Sequence, residues 1–135
     1  MSDISHIGIA VDNLDKATEA YSSILGYPPV LVEEVSDQKV KVAMFASHND
    51  PHSGHIELLS GTEPGSPVSK FIEKRGPGLH HLAILVDDIE VKLAELKRQG
   101  YRLIDEKPRI GAGGKKIAFV HPASTGGVLM ELQER

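Results

Sequence analysis

The 135-residue chain contains no cysteine, which excludes disulfides, thiolate metal sites and cysteine nucleophiles without fixing the redox compartment. Any metal it binds must therefore be held by histidine and carboxylate. The chain also lacks an apolar run near the length of a bilayer span and a charged-then-apolar leader. No membrane anchor is expected, and the cytoplasm is the default location. Lysine and arginine are scattered rather than clustered and the formal net charge is −4, so the electrostatic footprint of a nucleic-acid or membrane-surface protein is missing. With 40% apolar residues, a chain of this length buries one or at most two small cores, as a single compact unit.

What is present is a duplication. His6, Ile9, Val11 and Asp12 recur as His81, Ile84, Val86 and Asp87 at a constant offset of 75 residues. The offset then falls to 74: Gly26-Tyr27 matches Gly100-Tyr101, and Ile56-Glu57-Leu58 matches Met130-Glu131-Leu132. A one-residue deletion in the second helix accounts for both. The expected organisation is one domain over residues 1–135, built from a module at about 4–62, a linker helix at about 63–78 and a second module at about 79–133.

Within a module the pattern reads strand, helix, then three strands. In His6-Ile7-Gly8-Ile9-Ala10-Val11 the alternation puts Ile7, Ile9 and Val11 on one face and His6, Gly8 and Ala10 on the other. Asp12-Asn13 offers N-caps for a helix with Leu14, Ala17, Tyr21, Ile24 and Leu25 at helical spacing, and Gly26 stops it. Val30–Val35, Val40–Ala46 and His55–Leu59 read as strands, as do Tyr101–Asp105, Lys116–Val120 and Gly127–Leu132. The linker opens at Ser66-Pro67 and ends at Gly76-Pro77-Gly78. The fold class is α+β: two tandem βαβββ modules.

The same parity places the chemistry. Glu57 lies between Ile56 and Leu58, and Glu131 between Met130 and Leu132, so both carboxylates point away from the apolar face. If the apolar faces pack on the helices, the opposite faces form a cup lined by His6, Glu57, His81 and Glu131. Two carboxylates neutralise a divalent ion, neutral imidazoles complete the ligand set, and open positions remain for substrate. Taken singly, each residue is more often a hydrogen-bonded strand histidine or a solvated glutamate than a ligand; recurrence in both halves with one parity favours the metal. His80 matches Ser5 rather than a histidine and reads as structural. His48, His52 and His55 belong to a polar loop and read as solvated.

The segments "SHIGIAVDNL", "IELLSG", "GLHHLAILVDDI" and "PRIGAGGKKIAFVHPASTGGVLMELQ" resemble the vicinal oxygen chelate (glyoxalase-like) superfamily, and within it the methylmalonyl-CoA epimerases, nearly end to end. The Gly-rich turn, "FVHP" and "GGVLMEL" carry most of that specificity. The resemblance implies a metal-lined cup, an ion held by His6, His81 and Glu131 with Glu57 as a fourth or water-bridged ligand, an acyl-CoA substrate and a homodimer. One departure stands out: where many bacterial members carry a glutamate proposed as a catalytic base, this chain has Val42, which leaves the second base open.

The implied reaction is epimerisation of methylmalonyl-CoA at C2. Its acidic C–H is flanked by a thioester carbonyl and a carboxylate, and chelating one oxygen of each to the ion stabilises the enolate. Inversion then needs proton removal on one face and delivery on the other. Glu131 and Glu57 are the available groups, Glu131 ranked first. Gly113, Gly114 and Lys115 offer backbone N–H groups and a cation to the phosphates of CoA, or equally form a hairpin turn between Ile110 and Ile117. The metal could be Co, Ni, Mn, Zn or Fe. Glyoxalase I, an extradiol dioxygenase and a non-enzymatic bleomycin-resistance-like binding protein are the rival functions.

Overall fold

The alternating segment Asp3–Ala10 forms the first strand, β1, in a computed structural model that describes residues 2–47 and 54–135. Helix α1 follows over Leu14–Leu25, started by Asn13, whose Oδ1 accepts the Lys16 N–H at 3.0 Å. Gly26 ends it at φ 86°, a left-handed conformation that costs glycine nothing because it has no Cβ. Strands β2 (Leu31–Val35), β3 (Val40–Phe45) and β4 (His55–Gly61) complete the first module. Helix α2 spans Pro67–Arg75, with Ser66 as N-cap and proline in the first turn, where its missing N–H is no loss. The second module is β5 (Gly78–Val86), α3 (Ile89–Arg98), β6 (Arg109–Ile110), β7 (Lys116–Val120) and β8 (Met130–Glu134). The fold is α+β, and both modules read βαβββ.

The chain divides into two compact units, Ile7–His80 and residues 1–6 with His81–Arg135. This boundary differs from that of the sequence repeat, because the start of β1 is tied to the second module. Arg135 Nη2 donates to Asp3 Oδ2 at 2.6 Å, and Ser5 Oγ donates to Gln133 Oε1 at 3.5 Å.

In the unit Ile7–His80 the strand order is β2-β3-β4-β1. The β2–β3 and β3–β4 pairs are antiparallel, and the Val11 N–H reaches the Leu59 carbonyl at 2.9 Å. Leu14 of α1 packs on Ala43, Phe45 and Leu58, with Ile9, Val11, Tyr21 and Ile56 around them. In the other unit the order is β5-β8-β7-β6, with β5–β8 parallel and the remaining pairs antiparallel. Ile89 and Leu93 of α3 pack there on Val86, Ala118, Val120 and Leu132. Each buried aliphatic side chain stabilises its core by about 1.5–3 kcal/mol. Helices α1 and α3 thus each cover one sheet face, and Glu57 and Glu131, which alternate with core residues Leu58 and Leu132, lie on the opposite face.

Two predicted strands differ in the structure. Tyr101–Asp105 is not a strand: only Leu103 bridges to Val120, and the N–H groups of Ile104 and Asp105 both turn onto the Phe119 carbonyl. The Asp105 carboxylate accepts the Phe119 N–H at 2.9 Å, substituting a side chain for ladder backbone. The third strand position is taken instead by β6, after Pro108. The last strand begins at Met130 rather than Gly127, because Gly126 and Gly127 have φ of 73° and 97°, incompatible with extended pairing. No helix among the described residues is long and apolar enough to cross a membrane.

Candidate metal centre

His6 on β1, His81 on β5 and Glu131 on β8 converge, all within the unit formed by residues 1–6 and 81–135. Strand parity explains why. Ile84 and Val86 turn to α3, which sends His81 to the other face, and Leu132 in the core sends Glu131 the same way. The His6 and His81 Nε2 atoms lie 3.0 Å apart, with rings edge-on at 5.1 Å. Glu131 Oε2 is 3.4 Å from His6 Nε2, and its Oε1 is 3.8 Å from His81 Nε2. One ligand atom from each residue falls within 4.8 Å of the others.

These three groups are 2%, 5% and 6% exposed. A carboxylate so far out of water needs a positive partner or a proton, since its desolvation alone costs several kcal/mol. A divalent ion meets that need. Two nitrogens each about 2.1 Å from one ion and at right angles to it stand about 3.0 Å apart, which is the separation found. Two imidazoles and one carboxylate are also the donor set that a borderline divalent metal prefers, and they leave positions open for a ligand. The residues present fit a catalytic rather than a closed site.

Glu57, the fourth residue predicted from the repeat, belongs to the unit Ile7–His80. It is 5% exposed and pairs across the sheet with Met44, as Glu131 pairs with Phe119. Burial, and secondarily the charge of Glu33, push its carboxyl from 4.5 up to about 7. Glu33 stands opposite Val42 in the β2–β3 register, and Val42 itself is buried. Val42 thus lies beside a carboxylate one strand away.

Residues 5–119 match the profile of the Glyoxalase/Bleomycin resistance protein/Dioxygenase superfamily. The chain belongs to that superfamily. It is 44% identical over 134 residues to the uncharacterized protein YqjC of Bacillus subtilis, covering 99% of this chain and 93% of that one. It is 35% identical over 132 residues to the mitochondrial methylmalonyl-CoA epimerase of Homo sapiens, covering 97% of this chain and 73% of that one. Among solved structures, a methylmalonyl-CoA epimerase in complex with methylmalonyl-CoA and NH4+ superposes with a TM-score of 0.91 at 34% identity, over 99% of this chain and 94% of that one.

A Gly-rich segment lies between β6 and β7. Here Gly113, Gly114 and Lys115 form the hairpin turn that joins β6 to β7. The Gly111 N–H bonds to the Lys115 carbonyl at 2.8 Å, and Gly113 and Gly114 take φ of 71° and 73°. His80 packs edge-on to Phe71 at 4.8 Å, and burial lowers its pKa to about 4. His55 opens β4 half-buried, while His48 and His52 lie outside the described residues.

Four residues around the triad were not singled out by the sequence. Ser5 Oγ lies 3.1 Å from His6 Nδ1 and reaches Gln133 Oε1. Phe119 stands edge-on to His81 at 6.1 Å, and the Arg109 guanidinium lies over its ring at 5.4 Å. Their signal was position: Ser5 adjoins a ligand, and Gln133 follows Glu131 by two residues and so shares its face.

Proposed function

We propose that this protein is a metal-dependent epimerase that inverts C2 of methylmalonyl-CoA through an enolate. The buried His6–His81–Glu131 triad is the observation that carries this reading, in a chain whose relatives include methylmalonyl-CoA epimerases. A divalent ion (Co, Ni, Mn or Zn) held by the triad would supply the charge that stabilises an enolate of the thioester. The chain acts as a single domain, since His6 comes from the first module and His81 and Glu131 from the second.

Glu131 is the leading candidate for the proton-transfer group: its two oxygens allow one to serve as ligand while the other exchanges a proton. The symmetry of the repeat gives Glu57 the matching position in its own module, as fourth ligand and second proton carrier. Its raised pKa suits a group that must both accept and return a proton near neutrality. Val42 cannot titrate, so no acid–base role falls there. Gly113, Gly114 and Lys115, on the β6–β7 turn, are read as contacts for the CoA phosphates. Association as a homodimer is part of the same reading, with Ile4 at 61% and Leu79 at 73% exposure available for burial.

The deciding measurement is deuterium exchange and inversion at C2 of methylmalonyl-CoA, followed by NMR, with elemental analysis of the same sample. Glu131→Gln is expected to keep metal and ester but to lose a factor on the order of 10² to 10⁴ in turnover. Near-parental epimerisation by that variant removes Glu131 from proton transfer. Absence of bound metal, or turnover of the methylglyoxal–glutathione hemithioacetal in place of the ester, overturns the assignment.

A further inference from the structure

We infer that Ser5 and Gln133 form a hydrogen-bond relay that locks His6 in its Nδ1–H tautomer, so that its Nε2 lone pair is preset as a metal-ligating atom on the side where His81 and Glu131 lie. The inference rests on the metal reading above only for its consequence, affinity for the ion. The tautomer itself follows from the bonding.

Ser5 is 7% exposed, and its hydroxyl has one proton to donate and lone pairs to accept with. The hydroxyl donates to the Gln133 amide oxygen at 3.5 Å, and that oxygen can only accept. With its proton so directed, Ser5 Oγ faces His6 Nδ1 at 3.1 Å through a lone pair. A ring proton on Nδ1 lets both contacts form at once, whereas a bare Nδ1 would compete with Gln133 for the single hydroxyl proton. A neutral imidazole has one such proton, so Nε2 is left bare, and Nε2 is the atom 3.0 Å from His81 Nε2 and 3.4 Å from Glu131 Oε2.

The alternative tautomer would aim an N–H at the ligand position and require proton displacement before binding. Outer partners that orient a ligating histidine are worth about 10–100-fold in metal affinity. Ser5 and Gln133 are positioning residues: neither reaches the triad's ligand atoms, and both act through His6. The second module is built differently, because the residue before His81 is His80, which packs on Phe71. Only one of the two imidazoles has a hydroxyl at the preceding position.

The test uses the full chain, stripped of metal and then titrated with Zn²⁺ against a chromophoric chelator. Ser5→Ala and Gln133→Met should each weaken Zn²⁺ binding about 10- to 100-fold, and the double variant should be no weaker than the weaker single. Gln133→Glu, whose carboxylate still accepts from Ser5, should retain at least parental affinity. Long-range proton–nitrogen NMR on the metal-free protein should show His6 protonated at Nδ1, and Ser5→Ala should mix the tautomers while thermal unfolding stays cooperative. An Nε2–H on His6 in the parent, single variants within about twofold of parental affinity, or losses that multiply in the double variant would each overturn the relay. If the parent itself fails to bind Zn²⁺, the metal reading falls, and the NMR result still decides the tautomer.

Discussion

Glu57 and Glu131 occupy matching positions in the repeat but answer to different surroundings. Glu131 stands against two imidazoles, whereas burial and the charge of Glu33 hold the Glu57 carboxyl up to about 7. An acid whose folded pKa exceeds its unfolded value near 4.5 binds more protons when folded. Its stabilisation is therefore fully present below pH 4.5 and is lost as pH rises through about 7. In metal-free protein, Glu57→Gln should consequently gain stability over the parent as pH rises from 4.5 to 8, by up to about 3 kcal/mol, with no gain below that window. Urea unfolding across that range checks it, and a difference independent of pH would show that Glu57 is not held protonated. The identity of both glutamates was legible because parity and repetition point to them. The raised pKa was not, since it comes first from burial, which tertiary packing sets, and secondarily from Glu33, a residue on another strand with no special spacing from Glu57.

At the scale of elements, β4 and α2 meet at Gly61. A Cβ there would strike the hydroxyls of Ser66 and Ser69, which form the start of α2: Ser66 Oγ accepts the Ser69 N–H at 3.2 Å, and Ser69 Oγ donates to the Glu63 carbonyl at 2.7 Å. Gly61→Ala must displace a buried cap and overpack the junction, for an expected loss of about 2–4 kcal/mol. Gly65→Ala, where nothing lies within 4 Å, should stay within about 0.5 kcal/mol of the parent. Thermal or urea unfolding compares the two, and equal effects would show that the junction relaxes freely. The helices themselves were readable, because caps and stops are local chemistry: Asn13, Gly26 and Ser66 perform the roles their sequence neighbours suggested. Tyr101–Asp105 was misread because its apolar alternation resembles a strand, while the fold satisfies its N–H groups by turning two of them onto one carbonyl.

For the whole molecule, the proposed homodimer can be tested at exposed apolar residues on strands. Ile4 and Leu79 are 61% and 73% exposed, and their burial would contribute up to about 1.5–3 kcal/mol each. Size-exclusion chromatography with light scattering should give a dimer, and Leu79→Glu should shift it toward monomer because a charge there would have to be desolvated. A strictly monomeric parent would refute the assembly.

The amino-acid sequence by itself determined the duplication, the βαβββ order, the helix ends and which histidines and glutamates point off the apolar faces, because each follows from local periodicity and from comparing one half with the other. Only the tertiary structure decided that the start of β1 joins the second module's unit, that His6 meets His81 and Glu131 there at hydrogen-bond distances, and that Ser5 and Gln133 stand behind His6. Those relations depend on strand pairing and register between segments far apart in the chain. No pattern inside a single strand encodes them.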